Sequence, residues 1–158
     1  MRLLILAVGR MRKGPERELV ERYVDRAAQT GRRIGFTGCE VLEVPESRAS
    51  SADRRRLEEA QALRDRLPAG CRTLAFDERG RRMDSRAFAD LVAGERDAAR
   101  SAFACLIGGA DGLDPSFRQG ATVSLGAMVL PHQIVRIVVA EQLYRATTLI
   151  AGHPYHRD

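Results

Sequence analysis

Phe103-Ala104-Cys105-Leu106-Ile107-Gly108-Gly109-Ala110-Asp111-Gly112 is an apolar run that ends in a cluster of glycines. It reads as a buried β-strand entering a glycine-rich turn, where bare backbone can meet a small ligand. A tight strand-to-helix turn without a ligand is the other reading of the same residues. Two further turns share this placement. Asp77-Glu78-Arg79-Gly80 follows the apolar run Leu74 to Phe76, and Leu125-Gly126-Ala127-Met128-Val129-Leu130-Pro131-His132 precedes a long apolar helix. In a parallel sheet all three gather at one edge, where open α/β sheets bind their ligands.

The rest of the chain supplies that sheet. Arg2 to Val8, Cys39 to Val44, Arg72 to Phe76, Ala102 to Ile107 and Ala121 to Leu125 are apolar runs of strand length. Between them, Pro15 opens a helix carrying Leu19, Tyr23, Val24 and Ala27 at helical spacing. Ser50 or Ser51 caps a charged helix through Leu67, and Ser85 caps Arg86 to Arg100 with Phe88, Leu91 and Val92 inward. A short helix starts near Pro115, and Pro131 to Ile150 is the last helix. Strands alternating with helices predict an α/β fold, mostly parallel, with helices on both faces. No repeat or linker divides residues 1–158, so a single domain is expected.

Bulk properties narrow the class. At 44% hydrophobic content the chain can bury a real core, and no apolar stretch reaches the roughly 20 residues of a membrane helix. The start Met1 to Gly9 lacks the length and cleavage pattern of a signal peptide, so a soluble cytoplasmic protein is expected. Cys39, Cys71 and Cys105 each lie in or beside an apolar strand and read as reduced core thiols. The net charge of +5 sits in the first half, where residues 1–72 hold 16 basic and 11 acidic side chains against 10 and 10 in the remainder. That asymmetry suits a polyanion, although 25 of the 26 basic residues are Arg, which a coding bias would also produce.

The last helix carries apolar groups around nearly its whole circumference, from Ile134 through Val138, Val139 and Leu143 to Ile150. It needs cover from its own sheet and from something else, which favours a homodimer interface over a central helix. Glu141 and Arg145 sit one turn apart and can pair. Leu125 to His132 offers few polar side chains and reads either as an apolar wall for a flat heterocycle or as core packing. His132 behind Pro131 reads as a loop-fixing residue. The tail His153-Pro154-Tyr155-His156-Arg157 is rich in acid–base and anion-binding groups, while Pro154 and the lack of nearby Cys or carboxylate ligands argue against metal. The glycine turn is neither a phosphate loop, since no Gly-Lys-Ser or Gly-Lys-Thr follows, nor a Rossmann fingerprint, since it does not follow the first strand.

These three loops with the His-Pro-Tyr-His-Arg ending resemble the small SPOUT-superfamily methyltransferases that modify pseudouridine in bacterial 23S ribosomal RNA. The resemblance spans the chain: Leu3 to Gly9, Ile107-Gly108-Gly109 with Gly112, Leu130-Pro131-His132, Glu141 with Leu143-Tyr144-Arg145, and the tail. It implies a C-terminal trefoil knot, a homodimer and S-adenosyl-L-methionine held in the knot. By position it implies cofactor contacts at Phe76, Gly109, Gly126, Ala127, Met128, Val129, Leu130 and Pro131. Phe76 stands where Leu is typical, Gly126 where Ser is common and Val129 where Thr is common.

The substrate implied is N3 of a pseudouridine in the 23S RNA of the ribosome, methylated without metal. His156 is then the first choice for accepting a proton or orienting the base, Tyr155 for stacking or hydrogen bonding, and Arg157 and Arg145 for phosphate or carbonyl contact. Arg10, Arg12 and Lys13 follow the first strand and so share the cofactor edge, where RNA backbone would lie. Two alternatives are a non-catalytic RNA-binding dimer that assists ribosome assembly and a flavodoxin-like nucleotide binder using Gly9 to Gly14.

Overall fold

A computed structural model describes residues 1–155 and contains five strands and four α-helices. In chain order these are β1 (Arg2–Val8), α1 (Pro15–Gly31), β2 (Gly38–Val44), α2 (Ala52–Arg64), β3 (Arg72–Arg82), α3 (Ser85–Asp97), β4 (Ala102–Ile107), β5 (Ala121–Ser124) and α4 (His132–Ile150). A 3₁₀ turn, Pro115–Gln119, precedes β5. Every strand pair is parallel and the order is β2-β1-β4-β3-β5, as the alternation of strands and helices predicts. Leu3, Ile5 and Ala7 of β1 face α1, α3 and α4, while Leu4, Leu6 and Val8 face α2 and the 3₁₀ turn. The core therefore has two layers, with helices on both faces of the sheet. Among the described residues no helix is long and apolar enough to cross a membrane.

Several boundaries differ from the sequence reading, each for a local reason. β3 does not stop at Phe76 but resumes pairing with β5 at Arg81 and Arg82, leaving Asp77–Gly80 as a bulge. Gly80 permits this, since a Cβ there would fall 2.4 Å from the Val123 carbonyl carbon. Asp84, not Ser85, caps α3 by accepting from the Ala87 amide at 2.7 Å, and the Ser85 hydroxyl donates to Gln142 Oε1 instead. α2 ends at Arg64 because the amides of Arg66 and Leu67 bond three residues back and tighten the chain before Pro68. α3 ends at Asp97, short of Arg100, where Ala99 adopts a left-handed φ of 55°. The three cysteines are free, and burial pushes the Cys39 thiol up to about 12.

α4 lies against both α1 and α3, so the fold itself absorbs much of the apolar circumference that the sequence left in need of cover. One α4 residue was not anticipated. The Arg136 side chain is fully buried and donates from Nη1 to Glu43 Oε1 at 2.8 Å and from Nη2 to the carbonyls of Gly9, at 2.8 Å, and Val8. Glu43 Oε1 also accepts from the Met11 amide at 2.7 Å. The carboxyl ends of β1 and β2 are thereby tied to the first turns of α4. Removing one partner of such a pair strands a buried charge, at a cost of about 3–5 kcal/mol. Glu43→Gln, which leaves the buried guanidinium uncompensated, and Arg136→Met, which leaves the Glu43 carboxylate and the Val8 and Gly9 carbonyls without their donor, are both expected to lower stability by several kcal/mol. Chemical denaturation of both variants measures this, and small losses would contradict it.

Candidate functional site

The strand order dictates where the candidate site forms. β5 lies at the sheet edge beyond β3, yet by Arg136 the chain has reached the ends of β1 and β2. Residues 125–131 therefore cross the carboxyl ends of β3 and β4. Beneath this crossing lies a cleft of about 390 Å³, walled by the loop, the Asp77–Gly80 bulge and the glycine turn.

The glycine turn is shaped by close backbone contacts. A Cβ on Gly108 would sit 2.5 Å from the Gly112 carbonyl carbon, and Gly112 takes a φ of 77° while its amide donates to the Gly109 carbonyl. At Gly109 a Cβ would meet Val8 Cγ1 at 3.0 Å and Glu59 Oε2 at 3.5 Å. The missing side chain is thus needed for packing against β1 and α2, and a branched residue would displace the turn rather than fill ligand space. Glu59 is itself buried, which raises its carboxyl above the usual range despite a hydrogen bond from the Ser47 amide.

Ion pairs brace the turn from two sides. Arg55 donates to both carboxylate oxygens of Asp111, at 2.7 and 3.1 Å, and to the Ala49 carbonyl at 2.9 Å. The hydrogen bonds from Arg55 hold the Asp111 carboxyl below its ordinary value. On the other side Arg118 Nε donates to Asp77 Oδ2 at 2.8 Å. Burial alone would raise the Asp77 carboxyl, but the bonds from Arg118 and the Arg79 amide outweigh it and the net direction is down. Both pairs escaped the sequence reading because their members lie 41 and 56 residues apart.

Of the residues implied as cofactor contacts, Phe76, Gly109, Gly126, Met128, Val129 and Leu130 line the cleft, whereas Ala127 and Pro131 share the loop without forming its wall. Met128 and Val129 are 81% and 87% exposed, so core packing does not account for this loop. Gly126 has a φ of 129°, in the range that favours glycine, and the Ser124 hydroxyl bonds both its amide and its carbonyl. Arg10, Arg12 and Lys13 are exposed beside buried Met11, at the same sheet edge.

The tail groups gather elsewhere. Arg145 donates to Glu141 Oε1 at 2.6 and 3.0 Å, the pair expected from their spacing, and its guanidinium lies 4.9 Å from the centre of the Tyr155 ring. The Tyr155 hydroxyl donates to Glu141 at 3.3 Å, and its ring stands 4.7 Å from that of Tyr144. His156 and Arg157 lie outside the described residues. At about 1.5 Å per residue, Arg145 is about 15 Å along α4 from Val135, the last α4 residue lining the cleft. Within one chain the tail cluster and the cleft are separate.

A parallel α/β sheet whose final helix arrives by crossing two strand ends, over a cleft at the carboxyl edge, defines a small α/β protein with an open site where such sheets hold ligands. The chain belongs to the SPOUT methyltransferase family: residues 1–156 match the family described as "Predicted SPOUT methyltransferase". It is similar over nearly its whole length to proteins named "Ribosomal RNA large subunit methyltransferase H". That of Methylobacterium radiotolerans is 56% identical, covering 99% of this chain and 98% of the relative. Those of Rhizobium etli and Brucella anthropi are 52% and 49% identical, covering 99% and 100% of both partners. The chain is thus a methyltransferase.

Because the Asp77 carboxyl is depressed in the folded state, its pairing stabilises the protein above the ordinary carboxylate range and is lost as pH falls through the lowered value. Asp77→Asn is expected to cost on the order of 1–2 kcal/mol at neutral pH. The gap in melting temperature between wild type and variant should close as the pH falls below about 4. A gap independent of pH would contradict the assignment.

Proposed function

We propose that this protein transfers the methyl group of S-adenosyl-L-methionine to N3 of a pseudouridine in large-subunit ribosomal RNA. The observation that carries the reading is the crossing loop, whose exposed apolar residues and backbone roof a cleft at the carboxyl edge of the sheet. The cleft has the size and the mixed apolar and backbone character of a cofactor site. The full-length similarity to named ribosomal RNA methyltransferases supports the substrate class. We read the crossing segment as the threaded part of a trefoil knot, and ribosomal RNA as the substrate places the work in the cytoplasm.

Phe76, Gly109 and the loop Gly126 to Pro131 would hold the cofactor, mainly through backbone and apolar contact. When bound, it supplies an electrophilic methyl group on a sulfonium. The protein aligns the target nitrogen with that methyl group, accepts one proton and excludes water. The loop's apolar residues suit that last task, since charge is neutralised as the methyl group moves. Arg10, Arg12 and Lys13 would meet the RNA backbone and give binding a steep salt dependence.

Tyr155 and His156 would stack on or orient the base, with His156 also a choice for taking its proton, and Arg145 and Arg157 would contact phosphate or carbonyl groups. Since α4 keeps the tail cluster away from the cleft of its own chain, a homodimer in which each tail serves the opposite cleft reconciles the two sets of residues. Ile134, Val138, Glu141 and Arg145 form one ridge of α4 on which such a dimer could close; Ile134 is 39% exposed.

Calorimetric titration with S-adenosyl-L-methionine and its demethylated product is the direct test, and an absence of heat and of thermal shift with both would overturn the reading. Val138→Asp is expected to yield monomer or insoluble protein, measured by sedimentation, because an unpaired buried carboxylate costs several kcal/mol. A stable wild-type monomer at micromolar concentration would contradict the dimer. Deleting residues 154–158 should leave folding and cofactor binding nearly intact while methyl transfer to unmodified ribosomes falls by orders of magnitude. Wild-type turnover in that variant would move the catalytic roles to the crossing loop.

A further inference from the structure

His132 occupies the first turn of α4 and lines the cleft with Gly109 and Leu130. Its position behind Pro131 suggests a loop-fixing role, but among the described residues neither ring nitrogen has a hydrogen-bond partner. No hydrogen bond of its ring ties the loop down. What it does have is a defined place. His132 and Arg136 lie four residues apart, on adjacent turns of one helix face, and the bonds of Arg136 to Glu43, Val8 and Gly9 anchor that face to the strand ends.

The other ionisable groups facing the cleft are already committed or peripheral. From β3, Asp77 is held by Arg118 of the 3₁₀ turn, while Glu78 and Arg79 are exposed and 3.8 Å apart. From the glycine turn, Asp111 is held by Arg55, and Arg56 of α2 is engaged by Asp53 and the Asp111 carbonyl. On α4 itself the Arg136 guanidinium turns away from the cleft into the core. Among the described residues lining the cleft, His132 is the sole imidazole, and imidazole is the side chain best suited to take up a proton near neutral pH.

We propose that His132 is a catalytic residue that accepts the N3 proton of the target pseudouridine, an inference that rests on the function proposed above. The N3–H bond breaks and its proton passes to an imidazole nitrogen. The electron pair left on N3 forms the bond to the methyl group, and the sulfur keeps the pair of the broken S–CH3 bond. The imidazolium then returns its proton to water. Base orientation stays with Tyr155 and His156, so holding the base and deprotonating it fall to different residues.

The test uses the full chain, His132→Asn, His132→Gln and His156→Ala. First, cofactor-free protein is titrated with a short RNA hairpin carrying one pseudouridine while the ring resonances of the three histidines, assigned through these substitutions, are followed by NMR. The His132 resonances are expected to shift on binding. Second, steady-state transfer to unmodified ribosomes is measured across pH. Both His132 variants should lose about 100-fold or more in kcat, with KM for the ribosomes nearly unchanged, and should lose the fall in rate on acidification. His156→Ala should keep that fall.

Unmoved His132 resonances, or a wild-type kcat and pH profile in the His132 variants, would overturn the assignment. So would an equal loss of affinity for S-adenosyl-L-methionine in calorimetry, which would make His132 a cofactor-holding residue. Wild-type protein that transfers no methyl group to unmodified ribosomes would instead overturn the underlying function, and absent rather than altered turnover distinguishes that case.

Discussion

Arg136 is a charge with no access to water, and the carboxyl edge of the sheet takes its shape from the way that charge is satisfied. Its acceptors lie on β1 and β2, but the strand that precedes its helix lies at the far side of β3. To deliver the guanidinium, the chain between β5 and α4 has to run across the ends of β3 and β4. That crossing is the roof of the cleft. An unpaired buried guanidinium costs several kcal/mol, so the first turns of α4, the Met11 turn and the strand ends are held in one fixed relation. The same lock presents Arg10, Arg12 and Lys13 outward on one side and His132 toward the cleft on the other.

The cleft beneath the roof is electrostatically quiet in a way that suits the proposed methyl transfer. Asp77 and Asp111 are both paired by arginines that brace loops, and their depressed carboxyls stay ionised and engaged at neutral pH. The rim above them is apolar, with Met128 and Val129 standing out from the fold. A cationic methyl donor meeting an anionic nitrogen loses charge on the way to the transition state, so a site that offers little free charge and little water favours the step. Strong uncommitted charges at the cleft would stabilise the separated reactants instead.

Much of this was legible in the sequence, and the failures have physical causes. β1 and β4 are continuous apolar runs that only a strand buried on both faces needs, and both were read to within a residue. The extension of β3 through Arg82 was missed because Asp77 to Arg82 is polar enough to pass for a loop; its pairing depends on Gly80 lying against the Val123 backbone, a tertiary contact. Asp84 and Ser85 are both competent caps, and only the backbone geometry chose between them. Arg136 interrupts an apolar face one turn before Val139 and Ala140, a signal that was present but unread. The proposed cofactor role of the crossing loop came from resemblance, since no periodicity marks a segment that crosses strand ends, and Asp77–Arg118 has no local spacing to betray it.

On the function proposed above, the cleft under the crossing loop serves methyl transfer to ribosomal RNA. Mass-spectrometric mapping of ribosomal RNA from a strain lacking this gene tests it most directly, with the strain complemented by wild type or by a variant whose crossing loop is displaced. One pseudouridine of the large-subunit RNA is expected to lose a single methyl group in the deletion strain, with wild type restoring it and the loop variant failing to. An unchanged methylation map in the deletion strain would overturn the assignment of this cleft to ribosomal RNA methylation.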